Sequence, residues 1–561
     1  MGIRPRPPFI RSLSALAAIG FLVAAGPGSA AVDSSAEAPQ VIRFHGGAYD
    51  RAGAIATDSG GNVYLAGALD LEGSNSTFGV VKLSPQGSLV WTAHYNGSLG
   101  GVGGQALAVT IDAAGNVYAA GYVHDGVIFN QNYDYLAVKF APNGAQRWAR
   151  RYNGPGNNSD FALRIVVDAV GNAYVTGFSY GQGYDWATLK LSPDGGLLWE
   201  RRHSGPGAAD DRVSDMALAP SGNVVLTGFV KRTGDGLTND AETLTYNPQG
   251  AVVWQRQWTA TTASHELPND MDVDAAGRIA VTGTTAENAS PYAVPFPVTV
   301  RYDAAGVLLQ TIRDEAAGGQ SVDVDALGNL YLAGYFVATP GASSVAKYDA
   351  NGSRLWATPL TPDPTDVFRS VQVAAHATGA VTVAGTVSDV STGDGDYVTL
   401  RYSAGGQELW RYRFAGNAGG QDEVAALAVE GSDAALITGT SWNGYLSSGG
   451  TADDIVTLRF PAGAAPALLP PSDLRATGVS RSEIRLSWQD NAGTEDGFRI
   501  ERCLGVGCTE FALVATVGHD VTTYVDGGLS RNTQYTYRVQ AFNDAAGSAY
   551  SNTASAKTRR R

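Results

Sequence analysis

From residue 41 onward, apolar and polar positions alternate with a period of two, as in Leu136-Ala-Val-Lys-Phe140 and Thr188-Leu-Lys-Leu191. Val, Tyr, Thr and Leu fill these runs and Gly or Pro separates them, the pattern of β-strands joined by tight turns. Helical periodicity is absent beyond the N-terminal segment, so the chain is predicted to be all-β. The pattern itself repeats. Asp58-Ser-Gly-Gly-Asn-Val-Tyr-Leu-Ala-Gly67 recurs from Asp112, Asp168 and Asp325, and weaker copies begin at Ala219, Asp274, His376 and Glu430. In the D-x-x-G-N step, Asp suits a turn whose amides need an acceptor, and Gly accepts a positive φ. A second turn follows at Ser84-Pro-Gln-Gly87, Ala141-Pro-Asn-Gly144, Ser192-Pro-Asp-Gly195 and Asn247-Pro-Gln-Gly250. Four residues beyond each second-turn Gly stands a tryptophan (Trp91, Trp148, Trp199, Trp254, Trp356 and Trp410), and Gln310 holds that place in the fifth unit. These tryptophans are read as structural locks between neighbouring units, because aromatic burial alone explains their recurrence.

Each unit reads as four antiparallel strands, A to D, and four-stranded sheets at this spacing predict the blades of a β-propeller. The eighth unit stops after strand C at Phe460, and Val41-Ile-Arg-Phe-His-Gly-Gly-Ala-Tyr-Asp50 has the character of the missing strand D. Pairing the two would remove exposed sheet edges. Eight blades over residues 41–460 are expected, with seven as the alternative. These repeats resemble the bacterial SBBP β-propeller repeats, a likeness that implies architecture and no single chemistry, and whose family label suggests seven blades.

The ends of the chain differ from the repeats. Arg4, Arg6 and Arg11 precede the apolar run Ser12 to Gly26 and the small residues up to Ala31. That layout predicts a secretory signal peptide over 1–31, cleaved near Ala30 or Ala31, with 32–40 as a short mature segment. A secreted or periplasmic location follows. Residues 461–471 are an Ala/Pro-rich linker, 472–558 a second domain and 559–561 a basic tail. Alternating Ile484, Leu486 and Trp488, then Phe498 and Ile500, then Tyr535, Tyr537, Val539 and Ala541 predict a β-sandwich. With Pro470-Pro471 and the Leu529 to Tyr535 spacing, this segment resembles a fibronectin type III domain and its tyrosine corner. Cys503 and Cys508 are expected to form a disulfide in an oxidising compartment.

Charge and motifs narrow the function. The net charge of −14, more negative once the arginine-bearing leader is removed, disfavours nucleic-acid and anionic-membrane partners. Gly177-Phe-Ser-Tyr-Gly181 spells a nucleophile motif but lies at a strand end without the helix that motif needs. The glycine-rich 97–104 lacks the helix of a phosphate cradle. No His or Cys spacing suits zinc. Asp134, Asp185, Asp240, Asp396 and Asp454 recur at the start of strand C, and Asp50, Asp160, Asp211, Asp366 and Asp422 recur before strand A; both sets are expected to cap turn amides. Asp394, Asp396, Asp453 and Asp454 are calcium candidates, and no other cofactor is expected. The variable B–C and D–A loops share one face, where Tyr122, His124, Asn157, Tyr180, His265, Tyr292, Trp442 and Tyr445 are the candidate ligand-binding residues. The expected function is non-catalytic binding or scaffolding, of protein or glycan. The alternative is a secreted enzyme, polysaccharide-active or resembling the quinone-dependent dehydrogenases, with its site at the channel mouth.

Overall fold

The computed structural model describes residues 39–560 except 48, 71–76, 96–102, 125–131, 207–209, 233–237, 262–263, 287–294, 315–318, 336–342, 361–365, 390–392, 417–419, 432, 446–450, 463–467, 493–494, 496, 519–520 and 543–546. The expected leader lies outside the described residues. Every regular element described is a strand, and among the described residues no helix is long and apolar enough to cross a membrane. Two compact units account for the described chain, 40–408 with 415–462 and 463–560 with 409–414.

In the first unit the repeat resolves into four-stranded antiparallel sheets whose strands follow chain order, beginning with Arg51–Thr57, Val63–Leu69, Thr77–Leu83 and Leu89–His94. The last sheet is assembled from both ends of the unit. Gln40–Phe44 pairs with Thr451–Phe460, in a register that sets Gln40 opposite Arg459 and Phe44 opposite Ile455. Ala434–Tyr445 and Asp422–Glu430 complete that sheet.

The turns follow from their side chains. Asp58 Oδ1 accepts the amides of Gly60 (2.9 Å) and Asn62 (3.0 Å), while Oδ2 accepts Asn62 Nδ2 (2.8 Å) and the Tyr64 hydroxyl (2.9 Å). Gly61 closes the turn at φ 76°, a conformation that costs other residues free energy. The same bonds form at Asp112 and Asp325. Directly across the sheet from each such tyrosine stands a lysine: Lys82 opposite Tyr64, Lys139 opposite Tyr118, Lys190 opposite Tyr174 and Lys347 opposite Tyr331. Each ammonium lies 4.7–5.0 Å from its tyrosine ring centroid, a cation–π contact.

Neighbouring sheets are joined through the tryptophans. The indole N–H of Trp91 donates to Pro142 O (3.0 Å), Trp148 to Pro193 O (2.9 Å), Trp199 to Pro248 O (3.1 Å), Trp254 to Ala304 O (3.1 Å) and Trp356 to Ala404 O (3.0 Å). Each indole packs on the Gly of the next second turn, where a Cβ on Gly195 would sit 2.7 Å from the Trp148 ring. Gln310 substitutes by donating to Gly352 O (3.0 Å). Gln40 takes the same position in the last sheet and donates to Gln86 O in the first (2.6 Å). Ile42 and Phe44 share one core cluster with Ile55, Leu65 and Val81 of the first sheet and Leu436 and Ile455 of the last. The A strands touch one another in sequence, and Asp422–Glu430 also touches Arg51–Thr57.

The second unit is a sandwich. One sheet orders Ser472–Gly478, Ile484–Gln489 and Thr523–Asp526; the other centres on Gly497–Leu504 and Gln534–Phe542. Ile484, Leu486, Trp488, Phe498, Ile500, Tyr537, Val539 and Ala541 fill the space between them. The Tyr535 hydroxyl accepts the Ser530 amide at 3.1 Å, which fixes the corner before its strand. Cys503 and Cys508 are disulfide-bonded, with Cα atoms 6.1 Å apart.

Candidate functional site

On the B–C and D–A loop face, the second and third sheets carry a continuous belt of aromatic side chains, capped by an arginine of the fourth. Val117–His124 contributes Tyr122 and His124, Ala173–Tyr180 contributes Phe178 and Tyr180, and Tyr133 and Tyr184 open their C strands. Phe161 near the start of Asp160–Val167 bridges the two groups. Strand pairing places His124 opposite Tyr133, Phe161 opposite Phe178 and Tyr180 opposite Tyr184, the cross-strand arrangement in which aromatics reinforce a sheet. Ring centroids are 5.6 Å apart for His124 and Tyr133, 5.0 Å for Tyr133 and Tyr122, and 5.1 Å for Tyr122 and Phe161. Continuing, Phe161 and Phe178 lie 5.2 Å apart, Phe178 and Tyr184 5.1 Å, and Tyr184 and Tyr180 5.3 Å. The Arg212 guanidinium covers the end of the belt, 4.9 Å from the Phe178 centroid and 5.5 Å from that of Tyr184.

Phe178 is buried and the other rings are half-buried, so the belt presents edges and partial faces to solvent. Burial pushes the Tyr122 hydroxyl up to about 12, and that hydroxyl donates to Gln105 Oε1 at 3.1 Å. Asn157 borders the belt, its carbonyl accepting Asn132 Nδ2 (3.1 Å) and its side chain accepting Asn153 Nδ2 (2.7 Å). Aromatic faces, an arginine and nearby amides suit a ligand with apolar faces and hydroxyl or amide edges.

The remaining candidates lie elsewhere. His265, at the start of His265–Val273, has its Nε2 3.3 Å from Asn239 Nδ2 of the preceding sheet. Trp442 packs over Gly420 and donates its amide to Asp422. Tyr292 and the Tyr445 side chain lie outside the described residues. Tyr133, Phe161, Phe178, Tyr184 and Arg212 are not marked by departures from the repeat; the available signal is aromatic residues recurring at adjoining strand termini in units two and three.

The aspartates divide into two sets. Asp160 Oδ2 accepts the Gly154 amide (2.7 Å) and Oδ1 that of Tyr180 (2.9 Å), joining the D–A loop to the end of strand B. Asp50, Asp211 and Asp422 repeat this clamp. Burial raises all four carboxyls and the amides partly offset it; Asp422 reaches about 6. The strand-C set corrects the expectation of amide capping. Arg151 pairs with Asp134 at 2.6 Å, Arg202 with Asp185 at 2.8 Å and Arg232 with Asp240, so these carboxylates hold cations. Among the calcium candidates, Asp453 faces Arg51 (3.4 Å) and Asp454 faces His45 (2.7 Å) and Arg43 (3.7 Å). Asp394 immediately precedes Gly395–Tyr402, and Asp396 is its second residue. His45, Asp50 and Asp454 bring ligand-type atoms within 4.8 Å of one another, but both Asp50 oxygens are already engaged by backbone amides. Ser179 of the nucleophile-like motif is fully buried and accepts Arg202 Nη1 at 2.7 Å, a structural position.

Comparison with known proteins identifies the class of the second unit. Residues 469–557 match the fibronectin type III domain family. Solved structures similar to this chain include an Fn3-like protein from Clostridium thermocellum, 25% identical over 16% of this chain and 90% of its own, with a TM-score of 0.14. The protein FN3tt is 25% identical over 16% of this chain and 97% of its own, with a TM-score of 0.14. A eukaryotic initiation factor covers 70% of this chain and 90% of its own at 11% identity and a TM-score of 0.34. No curated protein matches significantly. The chain is thus an all-β protein bearing a C-terminal fibronectin type III domain, a module that suggests a binding or scaffold role.

Proposed function

We propose that this chain is a secreted, non-catalytic binding and scaffold protein. In this reading the repeats form an eight-bladed β-propeller of the SBBP-like kind, its first and last blades joined through Gln40–Phe44, and the fibronectin type III domain acts as spacer or adhesive appendage. The A-strand contacts and the Trp-to-turn bonds support the blade arrangement. The aromatic belt from His124 to Arg212 carries the binding proposal. Its chemistry fits an extracellular glycan, whose sugar faces stack on Tyr122 and Tyr184 while Asn157 and Arg212 meet hydroxyls. Engagement of the recurrent loop-face aspartates by amides and cations favours binding over the enzyme alternative.

A glycan array probed with the mature protein tests this. For a glycan that binds, Tyr184→Ala and Tyr122→Ala should each weaken affinity at least about tenfold, the effect of losing one aromatic anchor. Thermal unfolding of each variant checks that the sheets persist. A bound glycan whose affinity neither substitution moves would remove the belt from the proposal.

A further inference from the structure

The fourth unit departs from its neighbours in a concerted way. Where units one, two, three and six have the Asp, Tyr and Lys of the first turn and its facing strand, unit four has Ala219, Val225 and Thr245. Val225 and Thr245 are direct cross-strand partners, as Tyr and Lys are elsewhere, and Trp254 stands next in the row. Units five, seven and eight lack the tyrosine as well, but an arginine faces each gap: Arg301 opposite Ala280, Arg401 opposite Thr382 and Arg459 opposite Leu436. Unit four has no such replacement. The three shorter side chains remove about ten non-hydrogen atoms, and native cores leave few voids of that size unfilled.

The result is a pocket on the turn face, lined by Ala219, Asn223, Val225, Thr245, Trp254 and Ile279 among others. Thr245 is among the lining residues; it is 2% exposed, and its buried Oγ1 has no hydrogen-bond partner among the described residues. A buried hydroxyl left in this state costs free energy that a bound polar group would recover. In units one to three the tyrosine ring meets its tryptophan edge-on, with centroids 6.0–6.1 Å apart. Trp254 faces Val225 in place of a tyrosine and meets Tyr302, tilted at 5.9 Å. Asn223 keeps the position whose side chain binds the turn aspartate in units one, two, three and six, and the residue at that aspartate's position is Ala219.

We infer that this pocket is a binding site for a small neutral phenol, whose ring replaces the missing tyrosine against Trp254 and whose hydroxyl is met by Thr245 and Asn223. Preformed apolar cavities made by loss of a side chain bind molecules of the lost group's shape. Lack of a carboxylate at Ala219 selects against cations, and the single hydroxyl-sized polar edge selects against hydrocarbons.

The test is ligand-observed NMR titration of the mature full-length protein with p-cresol. Saturable binding is expected, weaker by about tenfold for p-xylene, which has the same size without the hydroxyl. Val225→Tyr, which restores the residue of the other units, should abolish p-cresol binding. Thr245→Lys should do the same by filling the pocket from the facing strand, and thermal unfolding establishes that at least one of the two folds. Absence of saturable p-cresol binding, or binding equal in wild type and a folded filling variant, would overturn the inference. This result is independent of the belt, which lies on the opposite turn-and-loop face.

Discussion

Replacing Ile42 and Phe44 together with alanine is expected to destabilise the repeat unit by about 5 kcal/mol or more, the larger part from the phenylalanine. Both side chains are buried in a core cluster shared by the first and last sheets. Each truncation removes transfer free energy and leaves a cavity that surrounding strands fill only in part. Because the two residues lie on one strand, their effects need not add. Loss of Gln40–Phe44 also exposes the edge of Thr451–Phe460, whose free amides and carbonyls can recruit another chain. Urea denaturation should show a lowered midpoint, and sedimentation should show association above that of wild type. A double variant with unchanged midpoint would mean that this strand contributes little to the unit.

Trp199→Ala has the second largest expected effect, about 3–5 kcal/mol. Trp199 is buried and holds four different contacts. It lies edge-on to Tyr174 at 6.0 Å and tilted to Tyr246 at 5.9 Å, beneath the Arg201 guanidinium at 5.6 Å, with its N–H on Pro248 O. Trp199→Phe keeps an aromatic ring on Gly250 but loses the hydrogen bond, and should recover most of the loss while remaining about 1 kcal/mol below wild type. Denaturation midpoints of the two variants check the order. Equal values for the two variants would show that the indole's packing is not what joins these sheets.

Much of the architecture was legible because its signals are local. Asp58, Gly61 and Asn62 fix a turn within five residues of chain, so the pattern survives in every strong copy. The Gln40–Phe44 pairing was legible for a different reason: the eighth unit lacks a fourth strand, and an orphan strand of the right character stands near the start. Side-chain interactions between strands were harder to read. The cross-strand Tyr–Lys pairs and the pairing of Asp134 with Arg151 connect residues whose spacing in sequence depends on loop length, so neither is visible as a motif. The belt was half legible. Tyr122, His124 and Tyr180 stood out as residues that break the repeat, whereas Phe161, Phe178 and Tyr184 looked like ordinary strand aromatics until pairing brought them together. The pocket of unit four was present in the sequence as three simultaneous substitutions, but its meaning depends on knowing that Ala219, Val225, Thr245 and Trp254 meet.

The proposed closed circle of eight blades depends most directly on the two ends of the repeat unit being paired, and a cross-strand disulfide measures that pairing. Gln40→Cys with Arg459→Cys places two thiols at directly opposed positions. Mild oxidation of the folded protein, followed by alkylation and intact-mass analysis, should show the new bond formed nearly completely, with thermal stability raised by the long loop it closes. Free thiols at both positions under native conditions, with Cys503–Cys508 intact, would contradict the account.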